Sequence, residues 1–381
     1  MKARKTFAVL FVLCSLIAIS LPIAAQGLEF AFDRIRLNDA FLGGIPLPMG
    51  ADVEFRFPLA DSVLFSTLRV GGGYEDRLIL RDAAGAPIAK PAGFDADDQT
   101  QWFYWPNGEV DAGLAYRLVP GSEAPVVELF ALARGRGELN SPNLATSVFT
   151  DARSLLAVSF LSGVGIDTLT KSPRRFKSGY SGELSLEYAP AFLAFSGSTD
   201  FFRASASLEG YLPIFSFGKS DLEALSLYAG GYLAADVAGG SAIPHYVLTS
   251  FGGRELRDGL GSTIRGYRGW GYEATRKAEA SFEFRLVGPG LFGAANLRPM
   301  AYVFGDAGWF GGLYKCPDAA TGGDKDGWMF SVGSGAAINI LDFAYMGLRA
   351  GWKFPVDDPL YATYFPGGEK FFWGITFLLH F

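Results

Sequence analysis

The sequence predicts an all-β fold: a single transmembrane antiparallel β-barrel of about 16 strands, with one long loop folded into its lumen. Segments of about 8–12 residues alternate apolar and polar side chains along most of the chain. The composition is aromatic (15%) and rich in glycine (49 residues), yet only 19% of the residues are charged. An N-terminal secretion signal and a final aromatic strand point to the same class of protein.

Residues 1–25 have the features of a secretory signal peptide. Three basic residues lie within the first five positions, an apolar core follows from Phe7 to Ile19, and small residues close the segment. The apolar core is too short for a transmembrane helix, which needs about 20 residues. We therefore expect a signal peptide over 1–25 and one barrel domain over 26–381.

Charge and cysteine content limit the classes of function. The signal holds three of the 33 basic residues and none of the 39 acidic ones, so residues 26–381 carry a net charge of −9. This acidic balance argues against nucleic acid as a partner, because phosphate binding requires a basic face. Cys316 is the one cysteine left once Cys14 is removed with the signal, and no internal disulfide is expected.

The alternating segments are the expected strands, with apolar side chains toward lipid and polar ones toward the lumen. In one of them Phe202 and Leu208 share the apolar face, and Arg203 lies on the polar face. Other such segments cover 52–59, 112–118, 183–188 and 280–286. A soluble β-sandwich alternates with the same period, so periodicity alone leaves open which face lies inside. The barrel is favoured because a secreted sandwich of this size rarely lacks both disulfides and repeats.

A long connection from Gly252 to Gly271 is polar and rich in glycine and arginine, with Ile264-Arg265-Gly266-Tyr267 at its centre. One hypothesis is a solvated surface loop. The other is that the loop folds back into the barrel, where Arg265 meets Glu283 and Asp306. Alternation places both carboxylates on the polar face, and the planar fork of an arginine suits two carboxylate partners. Gly266 would allow a close approach to the barrel wall.

Three pieces in this order resemble the BamA/TamA family of outer-membrane barrels, also called the bacterial surface antigen family. They are the loop segment 264–267, Glu283 on the next strand, and Phe304-Gly305-Asp306-Ala307-Gly308 on the strand after that, similar to a Phe-x-Asp-x-Gly pattern. The resemblance covers about 252–381 well and the earlier strands only in pattern. It implies a structural lock in the lumen, formed by these residues: Arg265, Gly266, Tyr267, Glu283 and Asp306.

The last segment resembles the C-terminal signal by which outer-membrane barrels are recognised for assembly. Its apolar side chains alternate along one face up to the final residue. An ordinary amphipathic C-terminal strand is the alternative. The residues of this expected assembly signal are Trp373, Ile375, Phe377, Leu379 and Phe381.

Two functions follow from the resemblance. Members of the family usually carry periplasmic POTRA domains, which receive client polypeptides. Here only Gln26 and Gly27 stand between the expected signal peptide and the first strand-like run, so we expect no POTRA domain in this chain. The first function is outer-membrane protein assembly or polypeptide translocation; the alternative is a diffusion channel or a surface-exposed binding protein on the same fold. The expected location is the cell outer membrane. The expected partners are outer-membrane lipid, the barrel assembly machinery for insertion of the chain itself, and a periplasmic accessory protein or client polypeptides.

Catalytic and metal-binding patterns are weak in this sequence. His245 and His380 lie far apart, and Ser241 near His245 is the one candidate nucleophile with a base close in sequence. Acidic clusters at 95–98 and 318–326 fit solvated loops better than calcium sites. We expect no enzyme activity, no catalytic residues, no metal and no cofactor.

Overall fold

The computed structural model describes most of the chain from residue 29 to residue 379. The predicted signal peptide, the start of the expected barrel domain at residues 26–28, and Phe381 lie outside the described residues, so those assignments stay predictions. No helix in the described part is long and apolar enough to cross a membrane. The described ranges are 29–42, 45–60, 63–78, 102–118, 126–139, 154–171, 177–220, 222–267, 274–294, 297–313, 327–340, 344–356 and 370–379.

One large antiparallel sheet contains nearly all of the described strands. Fourteen long strands form its hydrogen-bonded path in chain order, each paired with the next. They are β1 (Glu29–Leu42), β2 (Ile45–Ala60), β3 (Leu64–Leu78), β4 (Trp102–Arg117), β5 (Val126–Leu139), β6 (Ser154–Asp167), β8 (Lys177–Ala189), β10 (Asp200–Phe217), β11 (Leu225–Ala242), β14 (Ala274–Val287), β15 (Leu297–Leu313), β16 (Gly327–Ile340), β17 (Ala344–Lys353) and β18 (Phe371–Leu379).

Two short strands, β7 (Thr170–Lys171) and β9 (Ala194–Ser196), pair with β8 and β6 and bring the sheet to 16 strands. Neither could cross a bilayer, because a tilted transmembrane strand needs about 9–11 residues. The described residues thus contain 14 strands of spanning length against the about 16 predicted. The prediction assumed strands of about 8–12 residues. Strands such as β10 and β11 have 18 residues each, so the same length of chain forms fewer strands.

The two ends of the hydrogen-bonded path are β1 and β18, and the described residues show no pairing between them. Elsewhere the ladder is nearly continuous, for example from Leu225 to Phe217 along the full length of the β10–β11 pair. Closure of this sheet into a barrel therefore stays a prediction.

Connections of different length join the strands at the two ends of the sheet. We call one end the short-connection rim, where 61–63, 218–224 and 341–343 join successive strands. We call the other the long-connection rim, where 79–101, 243–273 and 354–370 join them, although the β1–β2 connection there is short. Tight turns on one rim and long loops on the other are typical of transmembrane barrels.

The two faces of the sheet reverse the burial that a soluble protein shows. Along β5, Glu128, Arg134 and Arg136 are buried, whereas Leu129 and Leu139 on the opposite face are exposed. The same holds on other strands: the exposed fraction is 63% for Leu186, 57% for Phe202 and 57% for Trp328. Buried charged residues of the other face, here called the polar face, include Asp111, Glu187, Arg203, Asp236, Lys277 and Asp306.

This reversal answers the question that periodicity left open. In a soluble β-sandwich the apolar side chains would fill the interior, and ion pairs would face water. In this protein the charged side chains are inside and the apolar ones outside, which is the pattern of transmembrane β-barrels.

Candidate functional site

The connection between β11 and β14 folds back over the polar face of the sheet. We call its described part, residues 243–267, the loop. It contains two short helices, α1 (His245–Thr249) and α2 (Leu260–Thr263), and a small hairpin formed by β12 (Ser250–Phe251) and β13 (Arg257–Asp258). Proline at position 244 precedes α1, where its fixed φ suits the residue before a helix.

Apolar side chains fix the loop at two places. Near its start, Tyr246, Val247 and Leu248 of α1 are buried against residues of β6 and β10, including Phe201. Near its end, Leu260 and Ile264 are buried against other apolar residues, Phe310 and Met329 among them. Ile264 has no exposed surface, so the hypothesis of a solvated surface loop is wrong for the described part.

Arg265 is bound by carboxylates of the two strands that follow the loop. Its Nε donates to Asp306 Oδ2 at 2.7 Å and its Nη2 to Asp306 Oδ1 at 2.5 Å, a bidentate pair. Its Nη1 donates to Glu283, and its Nη2 also donates to the hydroxyl of Ser281 at 3.0 Å. The guanidinium carbon lies 3.8 Å from the ring centroid of Phe304. We call Arg265, Glu283 and Asp306 the Arg265 anchor.

Gly266 and Tyr267 are held against the strands at the C-terminal end of the sheet. Gly266 has a φ of +89°, and a Cβ there would collide with the ring of Phe372 on β18. Its carbonyl accepts a hydrogen bond from Lys353 Nζ at 2.7 Å. The hydroxyl of Tyr267 contacts the backbone of Phe330. The structure thus brings all five residues of the predicted lock together on the polar face.

The predicted C-terminal assembly signal lies apart from this cluster. Trp373 and Ile375 are exposed on the apolar face of β18. Phe377 and Leu379 belong to the same strand, and Phe381 lies outside the described residues. The role of this segment in assembly stays a prediction.

A second arginine of the loop has its own pair of carboxylates, on strands far away in the sequence. Arg254 donates to Glu183 of β8 through its backbone N–H at 2.7 Å and through its Nε at 2.8 Å. Its Nη1 donates to Glu128 of β5 at 2.5 Å. The guanidinium carbon lies 4.5 Å from the ring centroid of Phe130. We call Arg254, Glu128 and Glu183 the Arg254 anchor.

Buried arginines of the sheet also bind the backbone of the loop here. Arg134 donates from Nη2 to the carbonyls of Gly253 at 3.1 Å and Arg254 at 2.7 Å, and Arg69 donates to the latter carbonyl as well. Asp111 holds Arg134 in place through two hydrogen bonds of 2.9 and 2.8 Å. These bonds satisfy carbonyls that would otherwise be buried without partners.

A third group of charges holds the segment between α1 and the Arg254 anchor. The backbone N–H of Gly252 donates to Asp236 Oδ2 at 2.9 Å, and Arg203 Nε donates to the same oxygen at 2.6 Å. Lys277 Nζ donates to the carbonyl of Val247 at 2.8 Å. Since β3 contacts the loop through Arg69 and β17 through Lys353, the sheet curves around the loop.

Both anchors keep their arginines charged. Burial alone would lower the pKa of Arg265, but hydrogen bonding and attraction from Asp306, and then from Glu283, raise that pKa above its ordinary value. Burial likewise opposes the charge of Arg254, and Glu183 followed by Glu128 raises the pKa of its guanidinium. Removing one partner of a buried ion pair leaves an uncompensated charge, which typically costs about 3–5 kcal/mol.

Sequence reasoning missed the Arg254 anchor although its parts were visible. Alternation places Glu183 and Arg203 on the polar face, and Arg254 lies within the polar segment 252–271. What the sequence lacks is the order in which distant strands surround the loop. For the same reason, sequence reasoning did not identify four further residues that hold the loop: Glu128, Arg134, Asp236 and Lys277.

Ser241, the candidate nucleophile, lies near the end of β11. The hydroxyl of Ser241 donates to Asp200. No group of three or more His, Cys, Asp or Glu side chains in the described part is arranged to hold a metal ion. The acidic clusters at 95–98 and 318–326, and His380, lie outside the described residues.

Comparisons with known proteins give a likeness of fold. No family model matches the chain, and no curated protein matches its sequence. CdiB from Escherichia coli aligns over 86% of this chain and 52% of its own, with 15% identity and a TM-score of 0.52. The crystal structure of BamA from Haemophilus ducreyi lacking POTRA domains 1–3 aligns over 86% of this chain and 62% of its own, with 14% identity and a TM-score of 0.47.

A bacterial polysaccharide outer membrane secretin aligns over 87% of this chain and 90% of its own, with 11% identity and a TM-score of 0.31. The chain thus spans 52–62% of the length of the BamA and CdiB structures. At this level of identity the comparison with CdiB concerns the fold alone. The chain therefore shares the fold of the CdiB structure.

Proposed function

We propose that the protein is an outer-membrane β-barrel resembling the membrane domain of BamA/TamA-type factors, and that it takes part in outer-membrane protein assembly or polypeptide translocation. The observation that carries this proposal is the Arg265 anchor: a loop arginine bound by Glu283 and Asp306 on the polar face of a sheet whose outer face is apolar.

The reversed burial supports the location in a membrane. Exposed apolar side chains such as Leu184 and Phe202 would be costly in water as a continuous surface, and they are stable against hydrocarbon. The buried charges on the other face would then line the lumen. Membrane spanning by strands requires every backbone group to be paired, which favours closure of the sheet between β1 and β18.

The loop supports a role other than free diffusion. Its backbone and side chains are bound by residues from β3 to β17, so in a closed barrel it would occupy the space that an open pore needs. A barrel filled in this way acts on its clients through its rims, its edges or a movement of the loop. The anchors would set the free energy of that movement, because each buried ion pair must be broken for the loop to leave.

A polar cavity favours the second candidate function, a diffusion channel. About 380 Å³ of space remains beside the loop, lined by Arg56, Arg117, Glu128 and Arg257 among others. Val126 and Asp167, at the short-connection rim, also line it. In a diffusion channel, a path for small ions around the loop would start from this cavity. If the protein were instead a surface-exposed binding protein, it would bind its partner at the long-connection rim.

The experiment that separates the two functions uses the purified full chain in liposomes of outer-membrane lipids. An unfolded outer-membrane barrel is added, and its folding rate is followed by heat-modifiable gel mobility. We expect faster folding than in protein-free liposomes, and loss of the acceleration in Arg265→Ala. Unchanged folding rates, together with large and steady conductance in a planar bilayer, would favour the channel.

A partner search complements this assay. Affinity purification from detergent-solubilised outer membranes should recover immature barrels or a periplasmic accessory protein with the wild-type chain. Recovery of the chain alone would count against an assembly role.

A further inference from the structure

Gly266 and Tyr267, at the end of the described loop, contact the three strands at the C-terminal end of the sheet, β16, β17 and β18. The last register pair of β16 and β17 is Ser331 with Lys353, so Phe330 and Phe354 stand opposite each other where β17 ends. A hydrogen-bonded antiparallel pair normally exchanges two N–H···O=C bonds. Phe354 N–H donates to Phe330 O at 3.0 Å, which accounts for the first of them.

The hydroxyl of Tyr267 takes the place of the second bond. Phe330 N–H donates to this hydroxyl at 3.1 Å. The one proton of the hydroxyl has two carbonyl acceptors within reach, Phe354 O at 2.5 Å and Phe330 O at 2.8 Å, and the shorter contact bridges the two strands. A side chain of the loop is therefore inserted into the ladder between two strands. Lys353, the last residue of β17, reaches back to the loop through the carbonyl of Gly266.

The contact with β18 runs through aromatic rings. The ring of Phe372 lies where a side chain at position 266 would be, so Gly266 packs directly against it. Phe372 also lies 6.3 Å from Phe304, measured between ring centroids, and Phe304 carries the guanidinium of Arg265 on its face. Phe372 of β18 is thus contacted by Gly266 directly and by the Arg265 anchor through Phe304.

We propose that Gly266 and Tyr267 are positioning residues that hold β16, β17 and β18 in place, so that the state of the loop sets the order of the C-terminal edge of the sheet. The inference is independent of the function proposed above, since an assembly factor and a channel would both carry it. Release of the loop would loosen the β16–β17 pair at the long-connection rim and free the ring of Phe372.

The test is hydrogen–deuterium exchange of the full chain in detergent micelles, read on peptides that cover β16–β18. Tyr267→Phe removes only the hydroxyl. We expect exchange at 327–331 and 350–356 to become roughly 2- to 12-fold faster, the effect of losing one net hydrogen bond. Tyr188→Phe is the matched control, because it removes a hydroxyl from the exposed face of β8, which pairs with none of these three strands.

A compensating pair tests the contact with β18. Gly266→Ala should speed exchange in β18, because the new Cβ strains a backbone with φ of +89° and displaces Phe372. Phe372→Ala alone is the reference for the double variant, because it also removes the contact of Phe372 with Phe304. On that background Gly266→Ala should cost less protection than in the wild type, since the collision is relieved, and this difference is the expected recovery. Heat-modifiable mobility shows whether each variant is folded. Unchanged exchange in β16–β18 for folded Tyr267→Phe, or no recovery in the double variant, would overturn the proposal.

Discussion

Both anchors bind an arginine of the loop to carboxylates on the polar face of the sheet, but the carboxylates come from different parts of the chain. Arg265 pairs with residues on the two strands that follow it, 18 and 41 positions away. Arg254 pairs with residues on strands that precede it, 71 and 126 positions away. The Arg265 anchor is local in sequence and is carried by a recognisable motif. The Arg254 anchor exists only because the sheet brings β5 and β8 to the loop.

They also differ in exposure. The exposed fraction of the side chain is 9% for Arg265 and 27% for Arg254, whereas Asp306 has none. Better burial makes an ion pair more costly to break and less sensitive to salt. We therefore expect the Arg254 end of the loop to open before the Arg265 end. Four experiments test this difference, and they follow in order of decreasing expected effect.

Arg265→Ala should have the largest effect. It leaves Asp306 buried with no arginine partner, and we expect a loss of about 3–5 kcal/mol in the free energy that holds the loop. Limited proteolysis of the folded protein should then cut within 252–267, where the wild type is protected. Lys219→Ala, which removes an exposed charge from the β10–β11 connection, is the control. Protection equal to that of the control would contradict the account.

Asp306→Asn should weaken the loop more than Glu283→Gln. Asp306 accepts hydrogen bonds from Arg265 and from the hydroxyls of Ser281 and Ser331, whereas Glu283 also has Arg285 as a partner. The same proteolysis assay, run side by side on both folded variants, gives the comparison. Equal cleavage rates would mean that Arg265 relies on both carboxylates alike.

Arg254→Ala should have a smaller and more confined effect. We expect about 1–3 kcal/mol, because the carbonyls of Gly253 and Arg254 keep their hydrogen bonds from Arg134. Exchange should rise over 252–257 and remain slow over 260–267. Equal acceleration across the whole loop would show that the two ends do not open separately.

Salt should produce the smallest effect. Raising ionic strength from about 0.1 M to 1 M shortens the Debye length from about 10 Å to about 3 Å. Exchange over 252–257 should increase modestly, because the Arg254 anchor is partly exposed. Exchange over 264–267 should not change, and a larger response at that end would reverse the order of opening proposed above.

Much of the fold was predictable because alternation is a local property. The pattern of 202–209 and 280–286 identifies strands and their polar faces, and the same alternation assigns Glu283 and Asp306 to the polar face. Alternation alone did not predict which face lies inside, since period two is the same in a sandwich and a barrel; the expectation of an inner polar face depended on the secretion signal and the lack of disulfides and repeats. The exposure of Leu186 and the burial of Arg134 decide it.

The site was predictable where it depends on neighbouring strands and unpredictable where it depends on distant ones. Arg265 could be matched to its carboxylates through a motif of ordered pieces. Arg254 could not, because Glu128 is one of many polar-face residues until the sheet order is known. The insertion of Tyr267 between Phe330 and Phe354 depends on where β17 ends, which alternation does not define to one residue.

The most direct measurement of the central claim is a double-mutant cycle between Arg265→Met and Asp306→Asn, read as loop protection from protease in the folded protein. If the loop is held by this buried ion pair, Arg265→Met leaves Asp306 buried without a counter-charge, and Asp306→Asn leaves Arg265 with Glu283 as its one carboxylate among the described residues. The double variant should then be no worse than the less protected single variant. Losses that simply add would mean that Arg265 and Asp306 act independently, which would contradict the account.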